Sequence, residues 1–220
     1  MKPASSTDSS PSSSMKAQPG VQFVTASDLM RIYEDAALSR TFNREDLVAL
    51  ARGVTSEISF QKRDGYAVSA ADVFVLLNAA VESFVDRRVL APALSLDPVY
   101  GPSREFKPSE GAASSQSYAW PAFADAVHGA GAFLRSHKQL PAEIWIGSES
   151  LSPADYLVTL AGAFEAIAAT AAAPPQVERR AGRFTADQYV AADSPKLWSW
   201  PIFPPGFHSP EIMTLARLQA

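Results

Sequence analysis

Two short stretches of the sequence place a serine three residues before an aspartate, a spacing that can bring a hydroxyl next to a carboxylate. Ser69 precedes Asp72, and Ser152 precedes Asp155. A hydroxyl beside a carboxylate, or two carboxylates together, could do nucleophilic or acid–base work. Each pair, however, stands directly before an apolar segment with helical spacing, where a serine and an aspartate cap the helix start. We therefore predict that all four residues are structural helix caps.

The other polar residues form no catalytic pattern. His128 and His137 are nine residues apart on one predicted helix, which places them on opposite faces and not as an i, i+4 metal pair. The chain has no cysteine, so thiolate nucleophiles and cysteine metal sites are excluded. It also has no phosphate-binding loop, dinucleotide fingerprint or nucleophile elbow. We predict that the protein is not an enzyme and has no catalytic, cofactor-binding or metal site.

Residues 196–208, here called the aromatic segment, form the most unusual stretch, with four aromatic residues and three prolines. The prolines exclude a regular helix. One interpretation, which we favour, is a strap that lies over the helices and closes the core with its rings. The other is an aromatic binding surface, since exposed tryptophans indicate an interface. In that case the candidate partner- or ligand-binding residues are Trp198, Trp200, Phe203 and Phe207.

The elements that position these residues can be predicted from helix starts. Seven apolar segments with helical spacing begin with a capping residue or a proline. They begin near Thr25, Asn43, Ser69, Trp120, Ser152, Thr185 and Ser209. Alternating residues at 57–68 and 143–151 predict two hairpins, the first with an Asp-Gly turn. The sequence thus predicts a mainly α fold with two helix–short hairpin–helix repeats and a Pro/aromatic-rich C-terminal strap.

The recurrence of this order favours a duplicated unit over two similar caps that arose by chance. Ile58 stands 11 residues before Ser69 and Ile144 stands 8 before Ser152, which predicts a longer hairpin loop in the first copy. Composition and periodicity predict that the chain is divided into five parts. They are a flexible Ser/Pro-rich tail (1–20), the first repeat (21–90), a linker (91–117), the second repeat (118–175), and the strap with short helices (176–220).

The second copy resembles a known module. Residues 140–147, LPAEIWIG, and 151–157, LSPADYL, are similar to the pseudomurein-binding repeat, a small helical module of archaeal surface proteins and wall-lytic enzymes. The match covers residues 120–170 well and 43–86 more loosely, because the earlier copy lacks the Leu-Pro pair and has a longer hairpin. The resemblance implies a non-catalytic repeat that binds cell-wall polymer.

Composition limits the partners. With 47% hydrophobic residues in 220, the chain can bury a core. Its 19 basic and 23 acidic residues give a net charge of −4 without a long basic run, which argues against nucleic-acid binding. The apolar run at 157–175 contains Glu165 and many alanines, so we predict a core helix and no membrane span.

The N-terminus lacks the apolar stretch of a secretion signal, so the default expectation is a cytoplasmic location. Association with a larger complex or with the cell envelope would then depend on a partner. The predicted function is that of a non-catalytic accessory or scaffold subunit that docks onto a larger assembly, through a protein partner or as a homo-oligomer. The alternative, which the resemblance implies, is a binding module for cell-wall polysaccharide or peptidoglycan.

Overall fold

The computed structural model describes residues 24–25, 27–28, 32, 35–108 and 115–219. Contacts divide the chain into two compact units, Met1–Asp35 and Ala36–Ala220. In the first unit, the backbone N–H of Asp28 donates to Thr25 Oγ1 at 3.3 Å, and the Asp28 carboxylate accepts from the N–H of Thr25 at 3.0 Å. Most of the helix predicted to follow Thr25 lies outside the described residues.

The described part of the larger unit contains five α-helices and ten short strands. The helices are α1 (Arg44–Arg52), α2 (Ala70–Arg87), α3 (Trp120–His137), α4 (Pro153–Thr170) and α5 (Pro210–Gln219), with a 3₁₀ turn at Ala186–Tyr189. The strands are β1 (Thr41–Asn43), β2 (Glu57–Ile58), β3 (Gln61–Arg63), β4 (Tyr66–Val68), β5 (Ala93–Ser95), β6 (Ser117–Ala119), β7 (Ile144–Ile146), β8 (Glu149–Leu151), β9 (Gln176–Glu178) and β10 (Arg183–Phe184). None of the helices described combines the length and the apolarity that crossing a bilayer requires.

The fold is mixed α/β, and the prediction of a mainly α fold is wrong. Helices contain 43% of the residues and strands contain 16%. The strands form several small sheets, most of them antiparallel. The six described strands outside the two hairpins are two or three residues long, which is too short for an alternating pattern to be visible in the sequence. Their pairing partners are distant in the chain, so hydropathy gives no indication of them.

The same order of strand, helix, hairpin, helix and strand occurs twice. It runs from β1 through α1, β3–β4 and α2 to β5, and again from β6 through α3, β7–β8 and α4 to β9. In each copy the first and last strands pair antiparallel. The central residue of the first strand, Phe42 or Tyr118, is a buried aromatic opposite Leu94 or Val177. Each copy is therefore closed by a strand pair that joins its two ends.

The first hairpin begins three residues later than the sequence predicts, at Gln61 and not at Ile58. The first hairpin pairs from Gln61 and the second from Ile144, and each starts eight residues before the serine that caps the next helix. Both turns contain a glycine in the left-handed region, Gly65 at φ 80° and Gly147 at φ 63°. Ile58, the residue used in the comparison, lies in β2 outside the hairpin. The longer loop predicted for the first copy is therefore absent.

The two copies interlock. Helix α1 packs chiefly against α4, α3 packs against α2, and α2 also packs against α4. Strand β10 follows the second copy and pairs parallel with β2, Arg183 opposite Glu57, ahead of the first hairpin. Tyr100 follows the first copy and pairs parallel with Gln139, ahead of the second hairpin. Exchanging the copies leaves this pattern of contacts unchanged, which indicates approximate two-fold symmetry within one chain.

A buried polar pair lies where three helices meet. The hydroxyl of Tyr156 in α4 donates to Asn78 Oδ1 in α2 at 2.8 Å, and Asn78 Nδ2 donates to the carbonyl of Val127 in α3 at 3.2 Å. The Tyr156 ring packs on Phe74 and Phe123, with centroids 5.2 and 6.0 Å away. Burial raises the pKa of Tyr156 well above its ordinary value, so the hydroxyl keeps its proton and remains a donor.

The start of α2 is stabilised by a reciprocal cap. Ser69 Oγ accepts from the N–H of Asp72 at 3.1 Å, and the Asp72 carboxylate accepts from the N–H of Ser69 at 2.8 Å. We expect Ser69→Ala to lower the free energy of unfolding by about 1 kcal/mol, because one N–H of the first turn loses its acceptor. Urea denaturation followed by circular dichroism measures this loss. Ser103→Ala, in an exposed loop, is the control, and equal losses in both variants would contradict a capping role.

Candidate functional site

The backbone of the aromatic segment is a series of tight turns. Hydrogen bonds between backbone groups close turns over residues 194–197, 200–203 and 204–207. Gly206 has a φ of 78°, as a type II turn requires at its third position, and Pro205 precedes it at the position where proline is favoured. The sequence of this segment therefore fixes a compact, irregular conformation without a helix or a strand.

Three of the four rings predicted as a binding site pack on one another. Trp198 lies edge-on to Phe203 and to Phe207 with centroids 5.1 Å apart in each pair, and the two phenylalanines stack at 5.0 Å. None of the three belongs to the hydrophobic core of the larger unit. The rings thus form a separate cluster, which differs from the predicted strap over the helices. The part of the C-terminal region that does close the core is β9, where Val177 is buried.

One carboxylate joins the two ends of the aromatic segment. The indole N–H of Trp198 donates to Asp193 Oδ1, and His208 Nδ1 lies 3.5 Å from the same oxygen. The sequence does not indicate a role for Asp193, because an aspartate five residues before a tryptophan matches no known motif. These contacts hold the ring cluster in one conformation.

The fourth ring faces water. Trp200 is 69% exposed and Ile202, two residues further on, is 78% exposed. Pro201 lies between them and is also exposed. We call Trp200–Pro201–Ile202 the tip of the aromatic segment. The structure therefore separates the four predicted residues into three that build a support and one, Trp200, that is available for contact.

A second polar cluster joins the hairpin, the helix start and the segment that follows the last strand of the second copy. Arg179 Nη1 lies 2.9 Å from Glu149 Oε1, and Arg179 Nη2 lies 3.4 Å from Asp155 Oδ2. The N–H of Gly182 donates to Asp155 Oδ1 at 2.8 Å. Ser152 caps α4 by accepting from the N–H of Asp155 at 3.0 Å. The Asp155 carboxylate thus accepts a hydrogen bond from the segment after β9. Its counterpart in α2, Asp72, accepts one from the cap residue Ser69.

Charge compensation makes this cluster structural. Burial alone would raise the pKa of Glu149, but hydrogen bonds from Arg179 and Ser115 outweigh that effect and hold it below the ordinary value. Burial, and then the charge of Glu149, raise the pKa of the neighbouring Tyr118. At neutral pH the carboxylate is therefore ionised and paired, and the phenol is protonated. Neither group has the properties of a poised base or nucleophile.

The first copy has an aromatic contact at the same place. Phe42 takes the position of Tyr118 at the centre of the first strand, and Tyr66 takes that of Glu149 at the start of the second hairpin strand. Their rings meet edge-on at 5.8 Å. The guanidinium of Arg40 lies 4.5 Å from the centre of the Tyr66 ring. The two copies therefore stabilise the same junction by different chemistry.

Comparison of the chain with protein-family models, with curated proteins and with solved structures found no match. The resemblance to the pseudomurein-binding repeat stays a prediction from the sequence. Function has to be inferred from the side chains themselves.

Proposed function

We propose that the protein is a non-catalytic accessory subunit that docks onto a partner protein through the tip of the aromatic segment. The observation that carries this proposal is the exposure of Trp200 and Ile202 in a segment whose other rings are packed together. Tryptophan is the side chain most enriched among residues that dominate binding energy at protein interfaces. The tip is an exposed apolar group, so it suits an apolar pocket on another protein.

The segment is preorganised for such contact. Its backbone turns, three prolines, ring cluster and Asp193 bonds restrict the tip before any partner is bound. Restricting a binding loop in its bound conformation reduces the conformational entropy lost on association. The rigid support therefore favours docking of an already formed surface.

A protein partner explains the tip better than a glycan does. Stacking of a sugar on an indole requires polar groups beside the ring to bond the sugar hydroxyls. The neighbours of Trp200 on one side are Pro201 and Ile202, and on the other side Ser199 donates its hydroxyl to the carbonyl of Lys196 at 2.8 Å. The chain neighbours of Trp200 are therefore apolar or already bonded, as in the centre of a protein interface.

Trp200→Ala is expected to weaken partner binding at least tenfold, which is about 1.4 kcal/mol. The tagged full chain is purified under mild conditions from its native cells, the co-eluting protein is identified, and its affinity is measured by biolayer interferometry. Trp145→Ala is the matched control, since Trp145 is 52% exposed on β7. We expect the control to bind like the unaltered chain.

Three results would overturn the proposal. The first is equal affinity for the Trp200→Ala and Trp145→Ala variants. The second is sedimentation of the unaltered chain with peptidoglycan that Trp200→Ala abolishes, which would assign the tip to a glycan. The third is self-association in analytical ultracentrifugation that Trp200→Ala abolishes, which would make a second copy the occupant.

A further inference from the structure

A cavity of about 850 Å³ lies in the larger unit, and no residue of the aromatic segment lines it. Six parts of the chain line it: Ile58 with the connection between β2 and β3, the start of α2, residues 99–102 with Glu105, Leu140, Phe184 with Tyr189, and the last turn of α5. A volume of this size matches the sites that hold small organic ligands. It is therefore a candidate binding site separate from the tip.

The lining of the cavity is mainly apolar. Ile58 and Leu140 line it and are buried, while Val99 and Phe184 line it and are half-buried. Ile58 precedes the first hairpin and Leu140 precedes the second, so the interlocking of the two copies brings them together. A ligand that enters exchanges contact with water for contact with these side chains, which is favourable in proportion to the apolar area covered.

Aromatic rings line the cavity and are unusually exposed. Tyr100 is 74% exposed and Tyr189 is 66% exposed, and Phe60 is also exposed. The rings of Phe60 and Tyr189 approach at 6.0 Å between centroids with an angle of 51° between their planes. A flat aromatic molecule can pack against such rings in the offset or edge-on geometries that aromatic pairs prefer.

The wall formed by α5 is fixed in place. The N–H of Gly101 donates to Gln219 Oε1 at 2.8 Å, and Gln219 Nε2 donates to the carbonyl of Pro102 at 3.1 Å. A Cβ at Gly101 would collide with the carbonyl oxygen of Leu218, so the glycine permits the close approach of the helix end. These contacts fix the position of the α5 wall relative to residues 101 and 102.

The charges of the lining balance. Among the described residues that line the cavity, the charged ones are Glu105 and Arg217, one of each sign. A ligand with a net charge would lose hydration without a net opposite charge to replace it. We infer that the cavity binds a small molecule that has an aromatic ring system and no net charge.

Fluorescence of N-phenylnaphthylamine, a neutral aromatic dye that brightens in apolar surroundings, tests this inference on the full chain. We expect saturable binding of one dye per chain. Ala71→Phe, which fills the cavity from the start of α2, is expected to weaken binding at least tenfold. Tyr189→Ala removes an exposed ring without burial in the core, and is expected to weaken binding at least threefold. Anilinonaphthalene sulfonate, the anionic analogue, is expected to bind at least tenfold more weakly.

Trp200→Ala distinguishes this site from the tip and is expected to leave dye binding unchanged. Absence of saturable binding to the unaltered chain would overturn the inference. So would dye binding that neither Ala71→Phe nor Tyr189→Ala weakens, or dye binding lost in Trp200→Ala. Equal affinity for the neutral and the anionic dye would overturn the assignment of an uncharged ligand. The proposal of partner docking is tested separately from ligand binding, because docking depends on Trp200 and not on Tyr189.

Discussion

Replacing Tyr156 with alanine is expected to lower the free energy of unfolding by about 4 kcal/mol, within the range for deleting a large buried side chain. The ring is fully buried between Phe74 and Phe123, so its removal leaves a cavity in the core. It also leaves Asn78 Oδ1 buried without the hydroxyl that donates to it. Because these contacts join α2, α3 and α4, all three helices are expected to be affected.

Tyr156→Phe separates the two contributions. The ring remains and only the donor is lost, so we expect a loss of about 1–3 kcal/mol, the cost of a buried acceptor without a partner. Tyr189→Ala is a control in which an exposed tyrosine is removed. Urea denaturation at pH 7, followed by circular dichroism and by tryptophan fluorescence, measures all three variants. A Tyr156→Phe variant as stable as the unaltered chain would show that the hydrogen bond contributes nothing net.

Arg179→Met is expected to lower the free energy of unfolding by about 2–3 kcal/mol. Breaking a fully buried ion pair costs about 3–5 kcal/mol, since the remaining charge is left uncompensated. The Arg179 side chain is 23% exposed, so water reduces that cost. Arg180→Met is the adjacent matched control, because Arg180 forms only a more exposed pair with Glu178, at 3.5 Å. An exposed pair contributes about 0–1 kcal/mol.

The effect of Arg179→Met is expected to depend on pH. In the unaltered chain the folded-state pKa of Glu149 lies below its ordinary value, so its stabilisation is present above that value, near 4.3, and is lost as the pH falls through the folded pKa. Once Glu149 is protonated, Arg179 no longer compensates a negative charge at that position, so its removal costs less stability. The difference in unfolding free energy between the two proteins should therefore shrink as the pH falls toward the folded-state pKa of Glu149 in the unaltered chain. A difference that is constant from pH 7 to pH 3 would contradict charge compensation as its cause.

The helices could be predicted because their signals are local. Asn43, Ser69 and Ser152 each precede a helix and accept hydrogen bonds from its first turn, as their spacing to the following residues suggests. The predicted helix after Thr185 proved to be a single 3₁₀ turn, which one cap and no apolar repeat can produce. Local chemistry therefore gave the element starts and not the class of the fold.

The strands outside the two hairpins could not be predicted because their partners are remote. Strand β5 lies within the predicted linker and β9 within the predicted strap, and each pairs with a strand more than 45 residues earlier in the chain. Gln61, where the first hairpin starts, is polar, so the apolar pattern of the sequence indicates Ile58 as the start instead. A pairing that is satisfied only in the folded chain leaves no period in the sequence.

The candidate site was only partly predictable for the same reason. Composition singled out the aromatic segment, but only the turns decide that Trp200 is exposed while Trp198 is packed. The Glu149–Arg179 pair joins residues 30 apart, and neither has a motif around it. The cavity combines residues from six parts of the chain, among them Ile58, Leu140 and Tyr189. Such a site becomes visible only when the copies are interlocked.

The interlocking of the two copies has a consequence for how the protein is made. Helix α1 packs against α4, α2 packs against α3 and α4, and β2 pairs with β10, so the first copy lacks three neighbouring elements until most of the chain has left the ribosome. During synthesis, the apolar faces of α1 and α2 must remain exposed or associate temporarily with something else. Nascent chains on the same messenger carry the same first copy, whose α1 could pair with the α4 of a neighbour. Translation speed and chaperone access are therefore expected to affect the yield of this protein more than that of one whose halves fold independently.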